Sequence, residues 1–240
     1  MRVKAVISYD GSRFYGFQCL KGRRRTVTYE IYRALQKLGI KSKVIGSGRT
    51  DRGVHATGQV IHFDAPSYWS DKERLKSYLN RHLHPDIHFR RLDFVDESFH
   101  ARYSAKRRVY RYILTKKPYN PFESKYLLFE EFDEDAISHA IKAFEGRHDF
   151  RYFMKTGSDV KSTVRTIYKA KTYRYGDKFI LYFEADGFLR AQVRMMVEFL
   201  LKISSDELTV YHLLEQLATK RRYLTSLAPP QGLYLAKIIY

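Results

Sequence analysis

The alternation of side chains along the chain predicts β-strands. The first such segment, residues 2–9, places Val3, Ala5, Ile7 and Tyr9 on one face of a strand. A period of two is typical of a strand that is buried on one side only. The same reasoning predicts further strands at residues 59–64, 86–95, about 106–115, 165–173, 178–184 and 233–239.

Apolar residues spaced three and four positions apart predict helices between these strands. In the first helix Val27, Ile31 and Leu35 fall on one face, Thr26 provides an N-cap and Gly39 ends the pattern. Comparable spacing predicts helices at residues 71–83, 133–145, about 189–203 and 206–219.

Each half of the chain therefore has the order strand, helix, strand, strand, helix, strand, with one extra helix in the second half. This is the split βαβ or ferredoxin-like order. The sequence predicts an α+β fold with an N-terminal half at residues 1–103 and a C-terminal half at residues 104–240. Side by side, the halves would form a continuous, mainly antiparallel sheet with helices on one face and a central cleft.

The charge of the chain indicates a polyanionic partner. The 44 Lys and Arg against 26 Asp and Glu give a net charge of +18, and 20 Tyr and 16 Phe accompany them. Aromatic side chains among cations favour nucleic acid, because bases stack on them. A membrane partner is disfavoured, since no apolar run approaches the ~20 residues of a spanning helix.

Cysteine and histidine usage argues against disulfides and metals. Cys19 is the only cysteine, which excludes an intramolecular disulfide and a cysteine-based zinc site. The N-terminus lacks the pattern of a signal peptide, so we expect a cytoplasmic protein. His82 and His84 flank a helix end, and neither they nor His88 have a carboxylate at helical ligand spacing, so no metal is expected.

Two basic segments carry candidate chemistry. Residues 21–25 form a basic loop that is either a solvated charge run or a phosphate-binding loop. The second segment, residues 46–56, contains three glycines and sets Asp51 between Arg49 and Arg52. The arginines favour the ionised form of Asp51 at neutral pH. On chemistry alone Asp51 is either a nucleophile or a turn residue that accepts backbone hydrogen bonds.

Two phosphate-binding motifs come close to the sequence, and neither is complete. A dinucleotide-binding turn requires a third glycine where Asp51 stands, and a helix where a strand pattern follows. Residues 11–16 have the spacing of a P-loop but continue with Phe17 and Gln18 instead of Lys and Ser or Thr. No nicotinamide cofactor and no nucleotide hydrolysis are expected.

The run Gly-Arg-Thr-Asp-Arg-Gly-Val-His-Ala at residues 48–56, followed by Gly-Gln-Val at 58–60, resembles the signature of the TruA family of tRNA pseudouridine synthases. The aspartate of that signature is catalytic in the family, so the resemblance implies a catalytic role for Asp51. Weaker matches extend the likeness over nearly the whole chain, at residues 9–18, 99–112, 145–150, 162–167, 187–197 and 228–235.

The resemblance also implies roles for residues elsewhere in the chain. Tyr110 matches the tyrosine that contacts the target base, and Arg194 the arginine that pairs with the catalytic aspartate, although Gln192 and Met195 replace the usual neighbours. Arg108 lies on the same strand face as Tyr110, so a cation and an aromatic ring alternate there. Arg49 or Arg52 would bind a phosphate or assist base flipping.

The family further implies a cofactor-free isomerase that acts as a homodimer on uridines 38, 39 and 40 of the tRNA anticodon stem-loop. Two other classes remain open from the residues alone. A non-enzymatic RNA-binding protein would use the same basic and aromatic cleft. An RNA methyltransferase is disfavoured by the missing glycine-rich cofactor turn.

Overall fold

The computed structural model describes residues 1–19, 24–157 and 160–240. Residues 21–23 of the predicted basic loop thus lie outside the described residues. The strands are β1 (Arg2–Tyr9), β2 (Ile45–Gly46), β3 (His55–Asp64), β4 (Ile87–Val95), β5 (Arg107–Thr115), β6 (Leu128–Phe129), β7 (Gly146–Asp149), β8 (Val164–Tyr175), β9 (Lys178–Ala185) and β10 (Leu233–Ile239). The helices are α1 (Val27–Lys37), α2 (Lys72–Leu83), α3 (Glu134–Ala140), α4 (Gln192–Ser204) and α5 (Val210–Leu217).

The chain divides into two compact units. The first comprises Met1–Lys106 together with Tyr234–Tyr240, and the second comprises Arg107–Leu233. The predicted C-terminal half, residues 104–240, differs from the second unit chiefly in β10. Tyr234 pairs in parallel with His55 of β3, and this backbone pairing places most of β10 in the first unit.

The sheet of the first unit is built around β3. β1 pairs with β3 on one edge and with β4 on its other side, antiparallel in both cases. The second edge of β3 is shared by β10 at its beginning and by β2 near its end. The short β2, which lies outside the predicted strands, provides the second strand of the ferredoxin-like order in the first unit.

One face of this sheet is covered by α1 and α2. In β1 the residues Val3, Ala5 and Ile7 are fully buried and alternate with partly exposed side chains, as the period of two predicts. Thr26 accepts a hydrogen bond from the backbone N of Tyr29 at the start of α1. Asp71 caps α2 in the same way. These caps satisfy backbone donors that have no partner inside the helix.

In the second unit β5, β9, β8 and β7 pair antiparallel in that order, and the short β6 pairs in parallel with β5. β8 and β9 form the predicted hairpin, whose turn contains Gly176 with a φ of 59°. The core of this unit is rich in aromatic rings. Phe153 contacts Phe144 and Phe199, with ring centroids 5.6 Å and 5.8 Å away, respectively.

The predicted α+β class is confirmed, and the differences concern the short strands β2, β6 and β7, which were not predicted, the earlier start of β3, and the ends of helices. The predicted helix at 206–219 begins only at α5, because Asp206 has a φ of 59° and Thr209 provides the cap. Similarly, α4 begins at Gln192, after Ala191 with a φ of 60°. A left-handed residue cannot continue a right-handed helix. The predicted helix at 133–145 ends as a 3₁₀ turn at Ile141–Phe144.

His62 lies under a loop that covers the other face of the first unit's sheet. Its side chain is 5% exposed, and Nδ1 accepts a hydrogen bond of 3.0 Å from the backbone N of Ala101. The ring of His100 lies 4.9 Å away, and Tyr240 donates a hydrogen bond to the carbonyl of Ala101. Burial, with a smaller contribution from His100, lowers the pKa of His62 to about 4. The folded first unit therefore holds His62 neutral.

We predict that His62 makes the first unit sensitive to acid. Between pH ~6.5 and pH ~4 the unfolded chain binds a proton at His62 while the folded chain does not, so stability falls as the pH falls. The loss is on the order of 3 kcal/mol by pH 4. Urea unfolding followed by the fluorescence of Trp69, the only tryptophan, at several pH values measures it.

The His62→Gln variant isolates this effect from other titrating groups. We expect its free energy of unfolding to depend less on pH than that of the native chain over this window. His82→Gln, at an exposed position, is the control and should follow the native chain. Identical pH profiles for the native chain and His62→Gln would contradict the prediction.

Candidate active site

The loop that carries Asp51 connects two paired strands of the first unit. β2 pairs antiparallel with β3, with Ile45 opposite His62 and Gly46 opposite Ile61. The chain leaves the sheet after Gly46 and returns at His55, so residues 47–54 form a loop at the sheet edge. Both ends of the loop are thus fixed by strand pairing.

Gln59 of β3 holds the beginning of the loop. Its side chain is fully buried. The hydroxyl of Ser47 donates to Oε1 of Gln59 at 2.7 Å, and Nε2 of Gln59 donates to the carbonyl of Gly48 at 2.8 Å. A buried amide needs partners for both of its ends, and the loop provides them.

Thr50 holds the middle of the loop. Its hydroxyl hydrogen-bonds with that of Tyr9 at 2.8 Å, and its carbonyl accepts from the backbone N of Phe17 at 3.0 Å. Thr50 is buried, Asp51 is half-buried, and Arg49 and Arg52 are exposed. The buried threonine therefore anchors the backbone that directs its charged neighbours outward.

Gly16 provides the close packing that brings residues 14–17 against this loop. It has a φ of 101°, and a Cβ atom at this position would lie 3.0 Å from the carbonyl oxygen of Thr50 and 3.4 Å from the backbone N of Arg52. Only glycine combines this backbone conformation with this approach. The resemblance at residues 9–18 thus includes a segment that supports the Asp51 loop.

The loop closes with a tight turn. The backbone N of Val54 donates to the carbonyl of Asp51 at 3.2 Å, and Gly53 between them has a φ of 81°. His55, which follows, is buried and accepts a hydrogen bond at Nδ1 from the backbone N of Gly11. Its ring stacks on Tyr234 at 4.8 Å. The histidine of the signature therefore has a structural position under the loop.

Tyr110 and Arg108 lie on β5 in the second unit. Tyr110 is 8% exposed, and its ring meets the ring of Phe188 edge to face at a centroid distance of 5.2 Å. Arg108 donates from Nη1 to the carbonyl of Asp186 at 2.7 Å. Tyr112, two residues along from Tyr110, donates to the carbonyl of Pro229, and burial raises its pKa.

Arg194 lies in the first turns of α4, also in the second unit. The side chain is half-buried, and Nε donates to the carbonyl of Ala228 at 2.7 Å. The backbone N of Ala228 donates back to the carbonyl of Arg194. Gln192 begins the helix by accepting a hydrogen bond at Oε1 from the backbone N of Leu189. The matched segments 187–197 and 228–235 are thereby joined.

The first unit thus brings Arg49, Asp51 and Arg52 together on one loop, and the second unit contains Arg108, Tyr110 and Arg194. The pairing of Asp51 with Arg194 and the central cleft stay predictions. Tyr9, Thr50, Gly16 and Gln59 were not identified as supports of the loop by sequence reasoning. The signal that was available for them is their place inside the matched motifs.

Neither a metal centre nor a membrane span occurs in the part of the chain that the structure describes. No group of three or more His, Cys, Asp or Glu side chains there is arranged to hold a metal ion. No helix of the described residues is long and apolar enough to cross a membrane.

Comparisons with known proteins agree with the sequence resemblance. A family described as tRNA pseudouridine synthase matches residues 5–104 and 140–240. The chain is 44% identical to tRNA pseudouridine synthase A of Wolinella succinogenes, over 98% of this chain and 93% of the relative. It is 42% identical to tRNA pseudouridine synthase A of Helicobacter hepaticus, over 99% of this chain and 98% of the relative. A Geobacillus protein of the same description is 38% identical over 100% of this chain and 98% of the relative.

We predict that Gly16→Ala destabilises the first unit. An alanine there combines a left-handed backbone with a contact to the carbonyl of Thr50, which costs roughly 2 kcal/mol. Urea unfolding followed by Trp69 fluorescence measures the change. Gly48→Ala is the matched control, since a Cβ at Gly48 meets no atom within 4 Å, and it should change stability by less than about 0.5 kcal/mol. Equal losses in both variants would contradict the prediction.

Proposed function

The chain belongs to the tRNA pseudouridine synthase family, whose members are isomerases, and from this premise we propose that it converts uridines 38, 39 and 40 of the tRNA anticodon stem-loop to pseudouridine. The substrate class, tRNA, follows from the family. The position within tRNA and the roles of individual residues are the proposal.

The reaction explains why no cofactor is needed. The bond between ribose C1′ and uracil N1 breaks, the base turns, and a new bond forms between C1′ and C5 while the hydrogen on C5 leaves as a proton. A proton is taken up at N1, so atoms and electrons balance without an oxidant or a reductant. The protein must supply a carboxylate near the nucleoside and a pocket that retains the detached base.

Asp51 is the proposed carboxylate, as nucleophile or base. Three alternatives for its first step remain: attack at uracil C6, attack at C1′, or removal of the 2′ hydrogen. The single observation that carries the proposal is the arrangement of the Asp51 loop. Hydrogen bonds at Thr50 and Gln59 and the close packing of Gly16 fix its backbone, while Asp51 is half-buried between exposed arginines. A carboxylate on a fixed backbone is preorganised for attack.

Tyr110 is the proposed contact of the target base. Its ring is held edge to face by Phe188, which limits the rotation of the ring and keeps one orientation. Aromatic stacking would retain the uracil after the glycosidic bond breaks. Arg108, on the same strand, would add a positive charge near the nucleotide.

Arg194 is the proposed cationic partner of Asp51. A half-buried guanidinium is costly without acceptors, and the carbonyl of Ala228 satisfies its Nε. The guanidinium would hold and orient the carboxylate of Asp51 through charge-assisted hydrogen bonds.

We assign base flipping and the binding of tRNA phosphates to the exposed arginines of the Asp51 loop. Flipping a nucleotide costs a few kcal/mol, least in a loop or at a stem end, and contacts to phosphate offset that cost. Arg49 and Arg52 flank Asp51 and are exposed, which supports this role. A homodimer and a cytoplasmic location complete the proposal, and both rest on the likeness to the family.

We predict that Asp51→Asn abolishes isomerisation and leaves tRNA binding intact. Asparagine keeps the shape of the side chain and removes its charge, so the rate should fall by at least about a thousandfold. The measurement is release of tritium from an unmodified tRNA that carries 5-tritiated uridine. Nuclease mapping of the product then excludes methylation at C5.

Asp93→Asn is the control for loss of one surface carboxylate. Asp93 lies on β4 and pairs with Arg91 at 2.7 Å, and its variant should retain full turnover. Full turnover by Asp51→Asn would overturn the catalytic role. No release by the native chain from any tRNA, with binding intact, would favour the RNA-binding alternative.

We predict that Tyr110→Leu lowers turnover by about tenfold or more, because loss of one aromatic stack on a base costs ~1–3 kcal/mol. Tyr110→Phe keeps the ring and should retain most of the activity. Single-turnover tritium release at saturating enzyme measures both, and circular dichroism confirms that each variant is folded. Equal turnover by Tyr110→Leu and the native chain would contradict a stacking role.

A further inference from the structure

Tyr15 lies beside the Asp51 loop and contacts two guanidinium groups. The Cζ atom of Arg52 is 4.6 Å from the centre of the Tyr15 ring, and that of Arg24 is 5.5 Å from it. Both distances are within the range of cation–π attraction. The ring is 43% exposed, so this arrangement faces solvent.

The backbone holds Tyr15 in place relative to the loop. Its N donates to the carbonyl of Arg25 at 2.9 Å, and its neighbour Gly16 packs against the backbone of Thr50 and Arg52. Phe14, on the other side, is 2% exposed. The backbone that carries the Tyr15 ring is therefore fixed beside Arg52.

The guanidinium groups of Arg24 and Arg52 differ from those of nearby arginines in their ion-pair partners. Arg25 pairs with Asp86 at 2.7 Å and with Glu30 at 3.5 Å, and Arg13 also pairs with Asp86. Among residues 1–19, 24–157 and 160–240, by contrast, Arg24 and Arg52 form no ion pair with a carboxylate. Two guanidinium groups lie on the Tyr15 ring, and neither is paired with a carboxylate of the described residues. This arrangement favours the binding of an anion from outside the protein.

The geometry points to the ligand as well. A guanidinium that stacks on an aromatic face uses its own flat face, and the N–H groups along its edge stay free to donate. Those edges match the oxygens of a phosphate, which accept two parallel hydrogen bonds. Stacking on Tyr15 therefore restricts the positions of Arg24 and Arg52 but does not occupy the N–H groups of their guanidinium edges.

We propose that Tyr15 is a positioning residue that holds Arg24 and Arg52 as a binding site for backbone phosphate of the tRNA next to the target uridine. The proposal rests on the proposed function for the identity of the RNA. It assigns to Tyr15 and Arg24 a role in substrate binding, and it explains how an exposed arginine beside Asp51 keeps a defined position.

The test measures the salt dependence of binding. The dissociation constant of an unmodified tRNA transcript is determined by filter binding at several KCl concentrations for the native chain, Arg52→Ala, Arg24→Ala, Tyr15→Leu and Tyr15→Phe. Each lost phosphate contact should lower the slope of log Kd against log salt by about 0.7–0.9. We expect this reduction in both arginine variants and in Tyr15→Leu, and a native slope in Tyr15→Phe, which keeps the ring.

Arg81→Ala is the matched control, because Arg81 also stacks on a tyrosine, with Cζ 5.7 Å from the ring of Tyr78 on α2. It should keep the native slope and native turnover. An equal reduction in Arg81→Ala would show an effect of net charge and overturn the proposal. A Tyr15→Leu variant that binds more weakly with an unchanged slope would mean that Tyr15 stacks on a base, which also overturns it.

Failure of the proposed function gives a different result. In that case the native chain releases no tritium, whereas the slopes still show whether Arg24, Arg52 and Tyr15 form a phosphate site. Unfolding followed by Trp69 fluorescence confirms that every variant is folded. The proposal is rejected when Tyr15→Leu or the arginine substitutions leave the slope unchanged, or when the control changes it equally.

Discussion

The hydrogen bonds of Thr50 are the constraint on which the candidate site depends. A single residue satisfies two different parts of the first unit, since its hydroxyl meets Tyr9 at the end of β1 and its carbonyl meets the backbone of Phe17. Both bonds are made beside Asp51, the proposed catalytic residue. Because Thr50 is buried, water cannot easily replace these partners, and breaking either bond leaves an unsatisfied polar group. The stability of the sheet and the position of Asp51 are therefore linked through one residue.

The arginines of the first unit fall into two groups. In one group the guanidinium has a carboxylate partner within the fold: Arg2 pairs with Asp64 at 2.9 Å, and Arg25 joins the loop after β1 to Asp86 before β4. The other group is exposed near Asp51, where Arg49 and Arg52 extend from a fixed backbone. Screening by water makes exposed pairs weak contributors to stability. The large net charge is thus informative about binding mainly through the second group.

Much of the fold could be predicted from sequence because local patterns decide it. Thr26 caps α1 as expected, and the alternation in β1 appears directly as alternating burial. The start of α4 could not be predicted, since nothing in the identity of Ala191 shows that its φ is positive. The motif around Asp51 identified the candidate loop, whereas its supports could not be predicted. Bonds such as that from Phe17 to Thr50 join backbone atoms far apart in sequence, and they depend on packing rather than on side-chain type.

The pairing of β10 with β3 has a consequence for how the protein folds as it is synthesised. His55 and Tyr234 are neighbours in the sheet, yet the whole second unit lies between them in the chain. At ribosomal rates of ~5–20 residues per second, this edge of β3 waits roughly 10–35 s for its partner. Pairing over such a separation is slow to form and leaves backbone donors and acceptors open in the meantime. The nascent first unit is therefore the stage at which this chain most needs protection from aggregation.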